Sequence, residues 1–588
     1  MGAFFGDGGR ADARVSWRRR GVFLATPLLA AMLAACQANP GDAPTVEQVD
    51  STTESAPPTA PPDKDDLQLH VGIGSFTGNL NPHLTGNVSA TVMGIADLTL
   101  PSTHNLRDGA WEMNSDLLES VTPNDPQAPT KVTYQLNTAA QWSDGTPVNV
   151  SDFRYLRQQI VQNPSTAEAA SYELIKSIEP VSGGKIEVTF SQPFAGWQSL
   201  FRHLLPSHIY GAENQLFATM MEGNLAASAG AYAVTSIDEG RGRIELRRND
   251  RFWGDTPAAT DKLIFERIPD LPTGMQMLRT GQIEMMVSQP SDISTIALES
   301  IPGVQHRAIE RHVDLSFVLN THSSTMAVAD YRARIMQALN PDRIAQIATE
   351  STHTVRPQSP PIEAAAVRGA AAESSNEQPN DSARALGSLS GDGAVVIGAP
   401  SDDDRAVAAA RVAADQLNSA GITTRVVTKD EAELFAKDIP DGTVDAVVSW
   451  QKTPESSTDY FNQFYCSPKL DETSTEGAGA ERNNLIPLSG NITGYCSEEL
   501  NQDLLDTIEG KTTFVAQQDK FNQRIAQANV VVPLVRDTQV VATGPAIEGA
   551  APALDQWAAD PLSGVMVSAP DWKKLNVDES SESLEGEQ

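Results

Sequence analysis

The chain has 588 residues, room for two or more domains at roughly 150 residues each, and sets 43 Lys and Arg against 76 Asp and Glu for a formal charge of −33. A surface this acidic repels nucleic acid and anionic headgroups, so nucleic-acid partners are excluded. With three Cys and nine scattered His, and no CxxC or HExxH spacing, no metal or cofactor motif is written into the sequence.

In chain order, the first element is a leader. Arg14, Arg18, Arg19 and Arg20 precede the apolar run Gly21 to Ala35 (GVFLATPLLAAMLAA), which is too short for a membrane span of roughly 20 residues. It ends in Leu33-Ala34-Ala35-Cys36, the pattern of a lipobox, where small residues fit the signal peptidase and the thiol accepts a diacylglycerol. Residues 1–35 are therefore expected to be removed and Cys36 lipidated. That would tether the protein to the outer face of the cytoplasmic membrane, each buried acyl CH₂ adding about 0.8 kcal/mol. Loss of the leader's five Arg and two Asp takes the charge from −33 to −36.

Residues 36–65 are rich in Pro, Ser, Thr and acids and nearly devoid of large apolar side chains, so they read as an unfolded spacer. From Leu67 onward strands alternate with helices. Strands are expected over Leu67 to Ile73, Lys131 to Leu136, Lys185 to Phe190 (KIEVTF), Arg243 to Arg247, Leu263 to Ile268, Ile422 to Val427 and Thr443 to Trp450. Helices are expected over Asp152 to Gln162, Met275 to Arg279, Asp330 to Leu339 and Asp404 to Ala420, the last closed by Gly421. Residues from about 354 to 393 form a low-complexity surface insertion, and residues 576–588 an acidic tail. Alternation in blocks indicates an α/β protein with more than one sheet.

Motifs for catalysis fail on inspection. Gly72-Ile73-Gly74 lacks the third glycine of a dinucleotide loop, with Thr77 in its place. Gly510-Lys511-Thr512 lacks the first glycine of a phosphate loop, where Leu505 stands, and a helical run precedes it. No serine sits in GxSxG, and the acids read as a solvated surface; the chain is expected not to be an enzyme. Cys466 and Cys496, an even pair in an oxidising compartment, are expected to form a disulfide, worth roughly 3 to 4 kcal/mol in the chain-entropy model.

Several segments, read in order, resemble the extracytoplasmic solute-binding proteins of ABC transporters, family 5, the peptide- and nickel-binding class. Lys131 to Phe153 (KVTYQLNTAAQWSDGTPVNVSDF) is the most specific match, with Ser151 or Asp152 expected to cap the following helix. Ala229-Gly230-Ala231-Tyr232 with Ile244 to Gly254, Met277 to Glu284, Val318-Leu319-Asn320 with Arg332 to Leu339, Asn491 to Leu500 and Val532-Pro533-Leu534 follow the family's other patterns. Within the family, Asn81-Pro82-His83-Leu84, Leu100-Pro101-Ser102, Trp111-Glu112-Met113 and Val540 to Pro545 are most similar to the actinobacterial LpqW-type lipoproteins. Those are associated with synthesis of phosphatidylinositol mannosides and lipoarabinomannan.

The resemblance implies a two-lobed, periplasmic-binding-protein-like α/β fold (type II) with a hinge and an interlobe cleft. Lobe one would comprise residues 66–288 and 533–575 and lobe two 289–532, with crossings near Val287 to Pro290 and Val530 to Pro533. It implies a monomer binding an oligopeptide or a mannosylated glycolipid, with an ABC permease as a partner if the role is transport. Phe76, Asn320, Trp450 and Tyr465 are the expected cleft residues, because aromatic faces and amides suit sugars and extended chains alike; Trp142 and Trp253 are expected to be structural. One departure bears on the ligand. The family's "GWxADY" places an aspartate after the tryptophan to pair a peptide's amine, but here Trp450 is followed by Gln451-Lys452-Thr453-Pro454, with Glu455 the nearest acid. A buried ammonium without a partner costs several kcal/mol, so a neutral or glycosylated ligand is expected.

Overall fold

A computed structural model describes residues 67–76, 78–107, 109–211, 216–292, 294–351, 393–468 and 485–575. Cys36, the spacer, residues 354–392 of the insertion and the tail lie outside the described residues.

Period-2 patterning translates directly into burial. Lys185–Phe190 alternates strictly, with Ile186, Val188 and Phe190 inward, and pairs with Lys131–Leu136 in a four-stranded antiparallel sheet completed by Leu118–Pro123 and Ile175–Val181. Nearby, the helix Val150–Gln162 begins two residues before the expected start, so its cap is neither Ser151 nor Asp152 but Asn149, which accepts from Ser151 N. Asp152 instead closes the reciprocal half of a capping box. It also accepts from the indole of fully buried Trp142 at 3.3 Å. The Trp253 indole donates to Asp116 O at 2.6 Å, so both tryptophans hold turns in place.

Ten strands form the main sheet, in the order Thr424–Lys429, Val395–Pro400, Ala446–Lys452, Gln305–Leu319, Val531–Thr543, Met285–Ser288, Gln68–Ile73, Lys262–Arg267, Arg243–Arg248, Tyr232–Asp238. It is mixed: Gln68–Ile73 lies parallel to both its neighbours, as does Val395–Pro400, and the remaining pairs are antiparallel. The helix Asp404–Ser419 packs beside Val395–Pro400 on a buried face of Ala406, Ala409, Ala410, Ala413 and Leu417, whose four alanines let backbones approach closely. It ends where Gly421 takes φ +83°.

The two central strands, 15 and 13 residues long, were not expected at that length. Their pairing is interrupted twice: Arg311, His312 and Val313 bulge opposite Asp537, between the pairs Glu310/Thr538 and Asp314/Arg536, and Leu534 is passed over between Leu315/Val535 and Ser316/Pro533. Beyond the bulge Gln305–Leu319 pairs with Ala446–Lys452 on its other side, while the far end of Val531–Thr543 pairs with Met285–Ser288. The strands contribute to two separate cores. Ile309 and Val541 belong to a large one with Leu69, Phe153, Phe201 and Trp572, and Leu315, Phe317, Leu319 and Leu534 to a second with Ile335, Ile397 and Ala410.

Arg311, 2 % exposed, is turned inward by the bulge. It pairs with Asp537 Oδ2, donates from Nε to Leu562 O at 2.7 Å and from Nη2 to Val88 O at 2.6 Å. Removing one partner of a buried pair leaves an uncompensated charge. Arg311→Met is therefore expected to lower unfolding free energy by about 3–5 kcal/mol, measured by urea denaturation; a loss within error of zero would contradict this account.

Candidate functional site

A cavity of about 400 Å³ opens where the strand pairing changes. Its floor is Arg311, Val313, Asp537 and Gln539 from the long strands. One wall is the turn after Gln68–Ile73, including Phe76, together with Gly86 to Thr91 at the start of the helix Ala90–Thr99. The opposite wall is Asp402 to Arg405 at the start of the helix Asp404–Ser419, with Glu431 and Trp450.

The walls approach closely at one point. A Cβ on Gly86 would lie 2.2 Å from Glu431 Oε1 and 2.6 Å from Phe435 Cε2, so any larger residue there must displace those side chains.

The site is crowded with carboxylates. Asp403 accepts from Arg405 N and Ala406 N as the helix N-cap. Burial raises its pKa, and that of Asp402, above the ordinary range, with neighbouring aspartates adding to the effect. Glu431 is pushed up to about 8, first by loss of water around it and then by Asp402, Asp403 and Asp430. Arg405 is half-buried, and its side chain makes no hydrogen bond or ion pair among the described residues. Burial lowers its pKa, while Asp537 and Asp403 partly offset this. Among the described residues no group of His, Cys, Asp or Glu is arranged to hold a metal, and no helix is long and apolar enough to cross a membrane.

Of the four expected cleft residues, Phe76 and Trp450 line this cavity together. Asn320 does not: it is fully buried, its Nδ2 donating to Ile439 O and Val444 O at 2.8 and 2.9 Å and its Oδ1 accepting from His322 N. Tyr465 is also elsewhere, stacked on Phe461 at 4.4 Å. Cys466 and Cys496 are disulfide-bonded, with Cα atoms 5.8 Å apart. Asp402 to Arg405 and Glu431 escaped sequence reading, although the run Asp402-Asp403-Asp404-Arg405 ahead of an alanine-rich helix was a visible signal. Arg311 and Asp537, 226 residues apart, gave none.

A mixed sheet carried through two cores, with a cavity at the changeover, is an architecture suited to binding. The chain belongs to the bacterial extracellular solute-binding proteins, family 5, whose middle region matches residues 112–471. It is 27% identical over 598 residues, 88% of this chain and 93% of the relative, to a Mycobacterium tuberculosis protein named "probable monoacyl phosphatidylinositol tetramannoside-binding protein LpqW". It is 30% identical over 250 residues, 40% of this chain and 42% of the relative, to the oligopeptide-binding protein OppA of the same species. The oligopeptide-binding protein AppA of Bacillus subtilis, solved with a nonapeptide, shares the fold at a TM-score of 0.63 and 15% identity, covering 87% of this chain and 99% of that one. The fold is thus the two-lobed solute-binding architecture.

The raised pKa of Glu431 couples folding to pH. The folded state keeps a proton that the unfolded state releases near 4.5, so this stabilisation is full below that value and is lost as pH rises to about 8. Glu431→Gln cannot titrate. It should flatten the fall of the thermal midpoint across that interval and be the more stable protein at its upper end; a profile parallel to the parent's would refute the assignment.

Proposed function

We propose that this chain is a lipid-anchored extracytoplasmic binding protein that holds a glycosylated component of the cell envelope, rather than a free peptide, between two lobes. The carrying observation is the end of the strand Ala446–Lys452 together with the next residue. Thr453, where a peptide receptor has its aspartate, donates its hydroxyl to Asp314 at 2.8 Å. Lys452 beside it is paired with Asp459 at 2.6 Å. The strand thus offers an incoming ammonium a cation and no free carboxylate, while Trp450 and Phe76 offer aromatic faces to the cavity. The near full-length likeness to a protein named for binding a tetramannoside lipid supports the same reading.

In this reading the chain crosses between two lobes along the long strands, near Arg311 and Asp537 rather than at residues 288 and 533, and ligand contacts with both lobes stabilise the closed state. The cavity is near the small end of ligand sites, roughly 300–1,000 Å³, so it takes the end of a larger molecule. A second reading, a receptor handing oligopeptides to a permease, is favoured by Asp402, Asp403 and Asp404, which could receive an ammonium on the opposite wall, and by the likeness to OppA.

Native mass spectrometry of the full-length protein from its own host, followed by extraction, decides between them. A glycosylated lipid is the expected ligand, and a ladder of peptides would overturn the proposal. Separately, Cys36→Ser is expected to move the protein from the membrane fraction to the soluble one; retention on the membrane would sink the anchor.

A further inference from the structure

We propose that the cavity recognises a neutral, hydroxyl-rich ring by bracketing one ligand hydroxyl between the Arg405 guanidinium and the free carboxylate oxygen of Asp537. This deepens the glycolipid reading and rests on it.

The floor holds two acceptors without partners. Asp537 is 6 % exposed; its Oδ2 is held by Arg311, while its Oδ1 has no partner. Gln539, two residues along the same strand and so on the same face, is 7 % exposed, and its Oε1 is also without a partner. An acceptor orphaned in this way costs about 1–3 kcal/mol, which a ligand donor would recover. Arg405 supplies the complementary lack. Its donors face the cavity unpaired, and its largest favourable charge interaction is with Asp537.

A hydroxyl both accepts and donates through one atom, so it satisfies Arg405 and Asp537 together. Charge at the Arg405 end disfavours the alternatives. A cationic group would face Arg405, and a phosphate would face Asp402, Asp403 and Asp404, whereas a neutral polyol meets neither repulsion. Trp450 and Phe76 offer flat apolar faces to the C–H side of a ring. The phosphate of a glycolipid therefore stays outside, and its sugar end enters.

Saturation-transfer NMR on the full-length protein in detergent micelles tests this with methyl mannoside, a mannose phosphate and trialanine as probes. Methyl mannoside should give transfer, with the sugar phosphate and the tripeptide at least about tenfold weaker, a difference of about 1.4 kcal/mol. Arg405→Met should weaken mannoside binding by a similar factor without lowering the unfolding midpoint, since it breaks no bond within the protein. Asp537→Asn should also weaken it, although that variant disturbs Arg311 and is judged only if it folds. No mannoside transfer, stronger binding of either charged probe, or mannoside binding indifferent to Arg405→Met would overturn the assignment. If the ligand extracted from the host is a glycolipid despite such a result, the proposed function survives and only this site falls; a peptide ladder removes both.

Discussion

The antiparallel pairing of Gln305–Leu319 with Val531–Thr543 is the constraint on which the other parts depend. These strands are long enough to enter two cores, and each has a further neighbour at one end only, Ala446–Lys452 beside the first and Met285–Ser288 beside the second. A continuous ladder would make the sheet a rigid plate. The bulge of Arg311, His312 and Val313 opposite Asp537 is the wider of two breaks in it, adding local twist and swinging a charged side chain inward. The cavity sits at that break, so its floor is built from the residues that join the two halves. Asp537, on that floor, lies opposite the bulge itself.

The electrostatics of the cavity run against stability. Arg405 loses hydration without gaining a partner, and Glu431 is crowded by carboxylates until it holds its proton into the neutral range. Perturbations of this kind cluster where a protein handles ligands, and here they accompany two orphaned acceptors on the floor. Two buried polar residues outside the cavity show the opposite habit. Asp314, itself largely buried, is held by Arg536 at 2.6 Å and by the Thr453 hydroxyl, and buried Asn320 places both ends of its amide on backbone groups.

Much of the architecture was legible where one face is buried and the other wet, as in Lys185–Phe190, or where small apolar residues recur at helical spacing, as in Asp404–Ser419. The long strands were not. Val531–Thr543 carries Pro533 and the polar run Arg536-Asp537-Thr538-Gln539, whose last three members are buried because they meet the joint and the cavity. Periodicity cannot show a strand whose polar residues face inward. The aromatic choices Phe76 and Trp450 reached the cavity because a half-buried aromatic at a strand end has few other uses. Asn320 and Tyr465 were chosen on the same chemical grounds, but their local commitments to Ile439, Val444 and Phe461 are properties of tertiary packing.

Gly86 carries a consequence of its own. The backbone there passes so close to the side-chain ends of Glu431 and Phe435 that any Cβ must push them aside. A change at this one codon would therefore be felt first by Glu431, a lining residue of the cavity, which makes position 86 a short evolutionary route to a reshaped cavity mouth.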